Sequence, residues 1–212
     1  MAIITNIEEQ KNKKRFNIFV DDAFFCGLNK ETAVLFRLKV GKEIDENTLK
    51  EAVFESEVKS AFEKGASLLE TRMHSKKELF DKLLKKNFEK RVIQKAIEKL
   101  EEYHYVDDFL FAKTYAQQNK KYSKKMIENK LLQKGVSSDI IHEFICDFDD
   151  ENEIEICFRQ AEKYAKNKDL SNDNIIQKMY ASLARKGFSF EIIKKAVSRL
   201  TSENANKNDF LN

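Results

Sequence analysis

Two short stretches set a serine ahead of paired lysines: Ser75-Lys76-Lys77 and Ser123-Lys124-Lys125. Ammonium groups gathered at a turn can hold phosphate oxygens or carboxylates. The second stretch lies within NKKYSKKMIENK at 119–130, which adds Lys120, Lys121 and Tyr122. A tyrosine among lysines can stack on a base while its neighbours grip the backbone. The same letters also describe a solvated inter-helix turn with Ser123 as N-cap, and both readings stand. The wider charge balance is mild, with 39 basic and 36 acidic residues and a net charge of +3. A chain that lives on naked nucleic acid carries a stronger basic field.

Other chemistry is sparse. Five glycines build neither GxxxxGK[ST] nor GxGxxG, so no phosphate-cradling loop is expected. His74, His104 and His142 lie far apart without ligand spacing, which predicts no metal site. Neither GxSxG nor a Cys–His pairing stands out. Asp107 and Asp108 could be a catalytic carboxylate pair. The better reading makes Asp107 the cap of a helix beginning at Phe109 and places Asp108 in its first turn, where the helix dipole favours an acid. Asp149 and Asp150 read the same way before the next helix. The expectation is a non-enzymatic protein without cofactor or metal. Cys26, Cys146 and Cys157 have no CxxC spacing, which fits free thiols in a reducing cytoplasm. No apolar h-region opens the sequence and no stretch approaches eighteen apolar residues, so neither signal peptide nor membrane span is predicted.

The elements that must position the lysines are written three times. LLKKNFEKRVIQKAIEKL at 83–100, LLQKGVSSDIIHEFICDF at 131–148 and LARKGFSFEIIKKAVSRL at 183–200 align without gaps. The first and third agree at 7 of 18 positions, where chance gives about one. Leu83, Leu131 and Leu183 share a column, as do Phe88, Val136 and Phe188, then Ile93, Ile141 and Ile193. Ile97, Ile145 and Val197 follow, and then Leu100, Phe148 and Leu200. In the third copy Phe188, Ile192, Ile193, Ala196, Val197 and Leu200 fall on one helical face. Gly135 and Gly187 suit the left-handed cap that ends a helix, and Asn87 is the best non-glycine substitute. Lys86, Lys134 and Lys186 are placed where the dipole favours a cation. Ser189, and Ser137 or Ser138, can cap the next helix. A further amphipathic stretch precedes each pair, at 57–72, 107–119 and 153–167.

The fold class is therefore mainly α: three tandem three-helix repeats in an elongated curved array, preceded by a small β-hairpin/helix appendage. The absence of proline agrees with that class. The expected bounds are 1–56 for the appendage, 57–104, 105–149 and 150–204 for the repeats, and 205–212 for a frayed polar tail. Helices of about 12 residues make each unit roughly 20 Å across, so three in a row reach roughly 60–80 Å. In the appendage RFNIFVD at 15–21 alternates as a half-buried strand, with partners on both sides joined through turns at 10–14 and 21–22. Asn29 is predicted to cap a helix over 30–40, stopped by Gly41. Asp45 or Asn47 then starts another short helix.

Together these residues resemble the RecX family of bacterial RecA regulators. The family's marks are an Arg–x–x–Ser step, here Arg72 and Ser75. A Tyr–x–Asp–Asp–x–x–Phe–Ala step follows, here Tyr105, Asp107, Asp108, Phe111 and Ala112. A Lys–Gly–apolar turn is present as Lys134–Gly135–Val136. The resemblance covers roughly 58–148 well and 150–200 more loosely. The opening stretch is similar to the extension of members from low-GC Gram-positive bacteria.

What the resemblance implies is a regulator that binds the RecA filament on single-stranded DNA; a monomer is expected, with weak contact to single-stranded or duplex DNA left open. It would suppress filament extension, ATP turnover, strand exchange and repressor cleavage, and so act in recombination, DNA repair and the SOS response. On that reading Arg72, Lys76, Lys77, Lys120, Lys121, Lys124, Lys125, Lys134, Arg185 and Lys186 are the expected contacts to RecA acids or DNA phosphates. Ser75, Tyr105, Asp107, Asp108, Phe111, Ala112, Gly135 and Gly187 are expected to be mainly structural. The competing class is a helical DNA-binding or scaffold module unrelated to RecA. Against a DNA reader stand the mixed charges of 91–100 and 192–200.

Overall fold

A computed structural model describes residues 2–11, 13–145, 150–170 and 172–209. Cys146, Phe148 and the Asp149 cap lie outside the described residues, as do the side chains of Ile145, Asp150 and the tail from 205. The chain divides into two compact units, Met1–Asp107 and Asp108–Asn212.

The first unit opens with three strands, β1 (Ala2–Glu9), β2 (Arg15–Val20) and β3 (Ala23–Asn29). All pair antiparallel. The alternation read in the sequence is realised: Ile18 and Val20 are buried and Phe16 packs beside them, together with Ile4 and Leu28. Asp21 and Asp22 both have positive φ (48° and 66°), the backbone that a two-residue hairpin turn demands.

Helix α1 is shorter than expected, Lys30–Leu35 rather than 30–40. Arg37 turns left-handed at φ 49°, and the N–H of Leu38 donates to the carbonyl of Ala33. That turn buries Leu38 in the sheet's core. A second turn at Gly41 (φ 80°) delivers β4 (Glu43–Ile44) onto the free edge of β1. The resulting sheet order is β3-β2-β1-β4. Burying Leu38 and Ile44 outweighs the few hydrogen bonds of a longer helix. Asn29 stands at the N-cap position but makes no side-chain cap bond. Its amide instead donates to the carbonyl of Ser56 at 3.0 Å and its backbone N–H to Ser56 Oγ at 2.8 Å.

Ser56 belongs to α2 (Glu46–Thr71). The short helix expected from Asp45 and the one expected over 57–72 are one 26-residue helix. Asp45 caps it, accepting from Thr48 N–H, and no proline interrupts it. Its first half covers the sheet through Leu49 and Ala52. Its second half packs on α3 (Lys76–Leu84) and α4 (Lys90–Glu102), with Val58, Ala61, Leu79, Leu83, Ile93 and Leu100 buried.

The second unit repeats that three-helix pattern twice. First come α5 (Asp108–Gln118), α6 (Lys124–Gln133) and α7 (Ser138–Ile145). Then follow α8 (Asp150–Ala165), α9 (Asp173–Ala184) and α10 (Phe190–Asp209). In each set the first helix packs against the third, and each encloses its own core. The left-handed caps fall where the alignment put them: Asn87, Gly135 and Gly187 have φ of 64°, 79° and 91°. Phe88 N–H and Val136 N–H then reach back to the carbonyls of Leu83 and Leu131. Ser137 and Ser189 supply the caps of α7 and α10. The first repeat has Glu89 there, with no side-chain cap bond.

Candidate functional site

The family-motif residues are mostly framework. Ser75 is fully buried and caps α3, accepting from Glu78 N–H at 3.1 Å. Ser123 does the same for α6 through Met126 N–H at 3.1 Å. The third repeat uses Asn172. Phe111 and Ala112 are core residues of their repeat. Helix α5 begins at Asp108, one residue earlier than expected, so Asp107 occupies the cap position. Asp108 is buried. Tyr105 differs, being 58% exposed in a ring cluster with Phe62 and Tyr103. His74 is buried, and its Nδ1 lies 2.9 Å from the carbonyl of Arg72. Burial holds its imidazole below the usual histidine range, so no cation stands at this position at neutral pH.

The predicted cations have unequal surroundings. In the first unit Arg72 is paired with Glu78 at 3.0 Å, Lys76 is paired with Glu101, and Lys77 is exposed. In the second unit Lys134 lies over the rings of Phe111 and Tyr115. Lys125 and Arg185 are exposed, and Lys124 is half-buried with its N–H donating to Glu153.

Lys121, Lys163 and Lys186 are drawn together. The turn joining α5 to α6 sits against the turn joining α9 to α10, where Ser123 N–H donates to the carbonyl of Lys186 at 3.0 Å. A Cβ on Gly187 would stand 2.5 Å from Ser123 Oγ and 2.8 Å from Met126 Cβ, so this junction needs glycine for closeness as well as for φ. From the half-buried Lys186, Nζ reaches Gln160 Oε1 on α8 at 2.6 Å. Burial lowers its pKa, and the charges of Lys163 and Lys121 lower it further. Three ammonium groups therefore share one neighbourhood.

Beside them a groove of about 500 Å³ runs between the end of α5 and α8. Its apolar floor includes Ala116 and Ile156, and its cationic rim is Lys120, Lys121 and Arg159. Among the described residues no acid lines it. Among those residues, too, Lys120, Lys121 and Lys163 form no ion pair, and Arg159 has only a 3.4 Å contact to Glu155. Glu155 is held more closely by Arg199, at 2.9 Å. The ammonium groups of Lys121 and Lys130 lie 5.1 and 5.0 Å from the ring centre of the half-buried Tyr122, so cations already sit against its ring. The arrangement suits an anion carried on a partly apolar body.

Reasoning from sequence missed Arg159 and Lys163. The available signal was their i, i+4 spacing on the helix expected over 153–167, which places both on one face. Among the described residues, burial pushes the thiol of Cys157 up to about 12 and that of Cys26 to about 11, which disfavours the thiolate at neutral pH. No helix among the described residues is long and apolar enough to cross a membrane.

Comparison with known proteins gives a consistent picture. Residues 2–45 match the regulatory protein RecX N-terminal domain, 61–100 the first RecX three-helix domain and 150–197 the third. The chain is 36% identical to the regulatory protein RecX of Bacillus subtilis (strain 168), over 96% of this chain and 79% of that one. It is 35% identical to the regulatory protein RecX of Clostridioides difficile (strain 630), over 94% and 96%. A crystal structure of a regulatory protein RecX superposes with a TM-score of 0.68 at 25% identity, covering 92% of this chain and 99% of the other.

Proposed function

The chain belongs to the RecX family of regulatory proteins, and on that footing we propose that it binds the RecA filament on single-stranded DNA and restrains it. It would slow filament extension, ATP turnover, strand exchange and repressor cleavage by occupying contacts rather than by a reaction of its own. The observation that carries this reading is identity of 36% along nearly the whole chain to a RecX protein. The groove at the α5–α6 turn supports it, since cations around an apolar floor that no described acid lines suit contact with another macromolecule better than turnover of a small substrate. Basic groups at several turns would add through avidity along a repeating partner.

The test is RecA ATPase on single-stranded DNA, titrated with this protein. Turnover should fall as the protein is added, and the fall should weaken as salt rises. Unchanged ATPase at every ratio would sink the reading. Retention on bare duplex DNA alone would favour the unrelated DNA-binding module instead.

A further inference from the structure

We propose that the groove between α5 and α8 is a docking site for an acidic segment of the protein partner, one that also carries an apolar side chain. The inference rests on the filament reading above and assigns the contact to one place in the second unit.

Two classes of anion could enter the groove, a nucleic-acid strand and an acidic peptide. The surroundings favour the peptide. A single strand is held by cations tracking its backbone and by open aromatic faces on which bases stack. Tyr122, the nearest tyrosine in sequence, has lysine ammonium groups over its ring. The groove instead has Ala116 and Ile156 at its floor and the amide of Gln117 in its wall. An apolar side chain can bury itself on that floor, and amides pair with an extended peptide backbone. Carboxylates flanking the anchor would meet Lys120, Lys121 and Arg159, whose guanidinium suits a carboxylate in two-point contact.

Two kinds of variant separate the possibilities. Lys120→Ala/Lys121→Ala/Arg159→Ala removes the rim charge. Gln117→Trp fills the groove while every cation stays, and Gln117 is exposed on α5, so the variant should keep the parent's fold, which circular dichroism checks. Each protein is assayed for inhibition of RecA ATPase on single-stranded DNA. Each is also assayed for anisotropy of a fluorescent oligo-dT strand without RecA. Both variants should need about tenfold more protein for half-inhibition, equivalent to about 1.4 kcal/mol, and Gln117→Trp should leave oligo-dT binding unchanged. Should Gln117→Trp inhibit like the parent, no peptide occupies the groove. Loss of inhibition in the triple variant alone, with an equal loss of oligo-dT affinity, assigns the rim to nucleic acid and overturns the proposal. A parent protein that fails to inhibit removes the filament reading itself, and the assigned partner falls with it.

Discussion

Each unit of the molecule has a groove against its helices, and the two treat their charges in opposite ways. In the first unit a groove of about 370 Å³ is lined by Leu35, Phe62 and Tyr103, with Lys59 and Lys99 at its edge. Those lysines are spent inside the unit, Lys59 on Glu31 and Lys99 on Glu55, both at 3.0 Å. In the second unit Lys120 and Lys121 face their groove with no acid of their own among the described residues. Similar composition thus yields a neutral surface in one place and an anion-seeking surface in the other. Net charge, at only +3, averages the two and hides the difference.

The strongest challenge to the comparison is to its shared framework. Leu83 and Leu183 hold equivalent, fully buried positions in the two units. Leu83→Ala and Leu183→Ala should each cost about 2–5 kcal/mol in urea unfolding. A cost below about 1 kcal/mol for either would break the equivalence of the repeats.

The turn junction comes next. Gly187→Ala should destabilise by about 2–4 kcal/mol, combining left-handed strain with overpacking against α6. Gly41→Ala has the same sign of φ but open space around it, so it should lose only about 1 kcal/mol. Equal losses would mean that the close approach to Ser123 is unimportant.

Rim charges sharpen the functional half of the contrast. Lys59→Ala/Lys99→Ala should leave inhibition of RecA ATPase within about twofold of the parent, against about tenfold for the second-unit triple variant. A reversed order would move the contact to the first unit.

The smallest effect concerns His74. Its folded pKa is depressed by burial, so below the unfolded value the unfolded chain binds a proton that the fold does not. Stability from this group is present above the ordinary histidine range and is lost as pH falls through the folded pKa, by up to about 1.4 kcal/mol per pH unit. His74→Phe should flatten that acid limb in unfolding curves measured from about pH 7 to pH 5. A limb of unchanged slope would place the titration elsewhere.

Much of this fold is legible in the residues themselves. The β1–β3 meander shows as period-two alternation with polar turns, and the left-handed caps show as Asn87, Gly135 and Gly187 in one aligned column. Those features are local: side-chain period and backbone freedom act over a few residues. Where α1 stops is not legible, because residues 30–40 carry a helical pattern and only the pull of Leu38 and Ile44 into the sheet's core ends it early. The fusion of two expected helices into α2 is hidden for a related reason: its two halves bury their faces against different partners.

The candidate site divides the same way. Lysine-rich turns and their serine caps are readable, since a cap needs one side chain and one backbone N–H a few residues on. Which lysines lack an acid is not readable. Lys76 finds Glu101, 25 residues away, and Lys99 finds Glu55, 44 residues away, whereas among the described residues Lys120 and Lys121 meet α8 in a groove that no acid lines. The order of residues along the chain dictates the repeating helical unit, its caps and the family to which they point, because those follow from periodicity and local backbone chemistry. Which charges are cancelled and which remain available is settled in three dimensions, because ion pairing depends on distance through space and not along the chain.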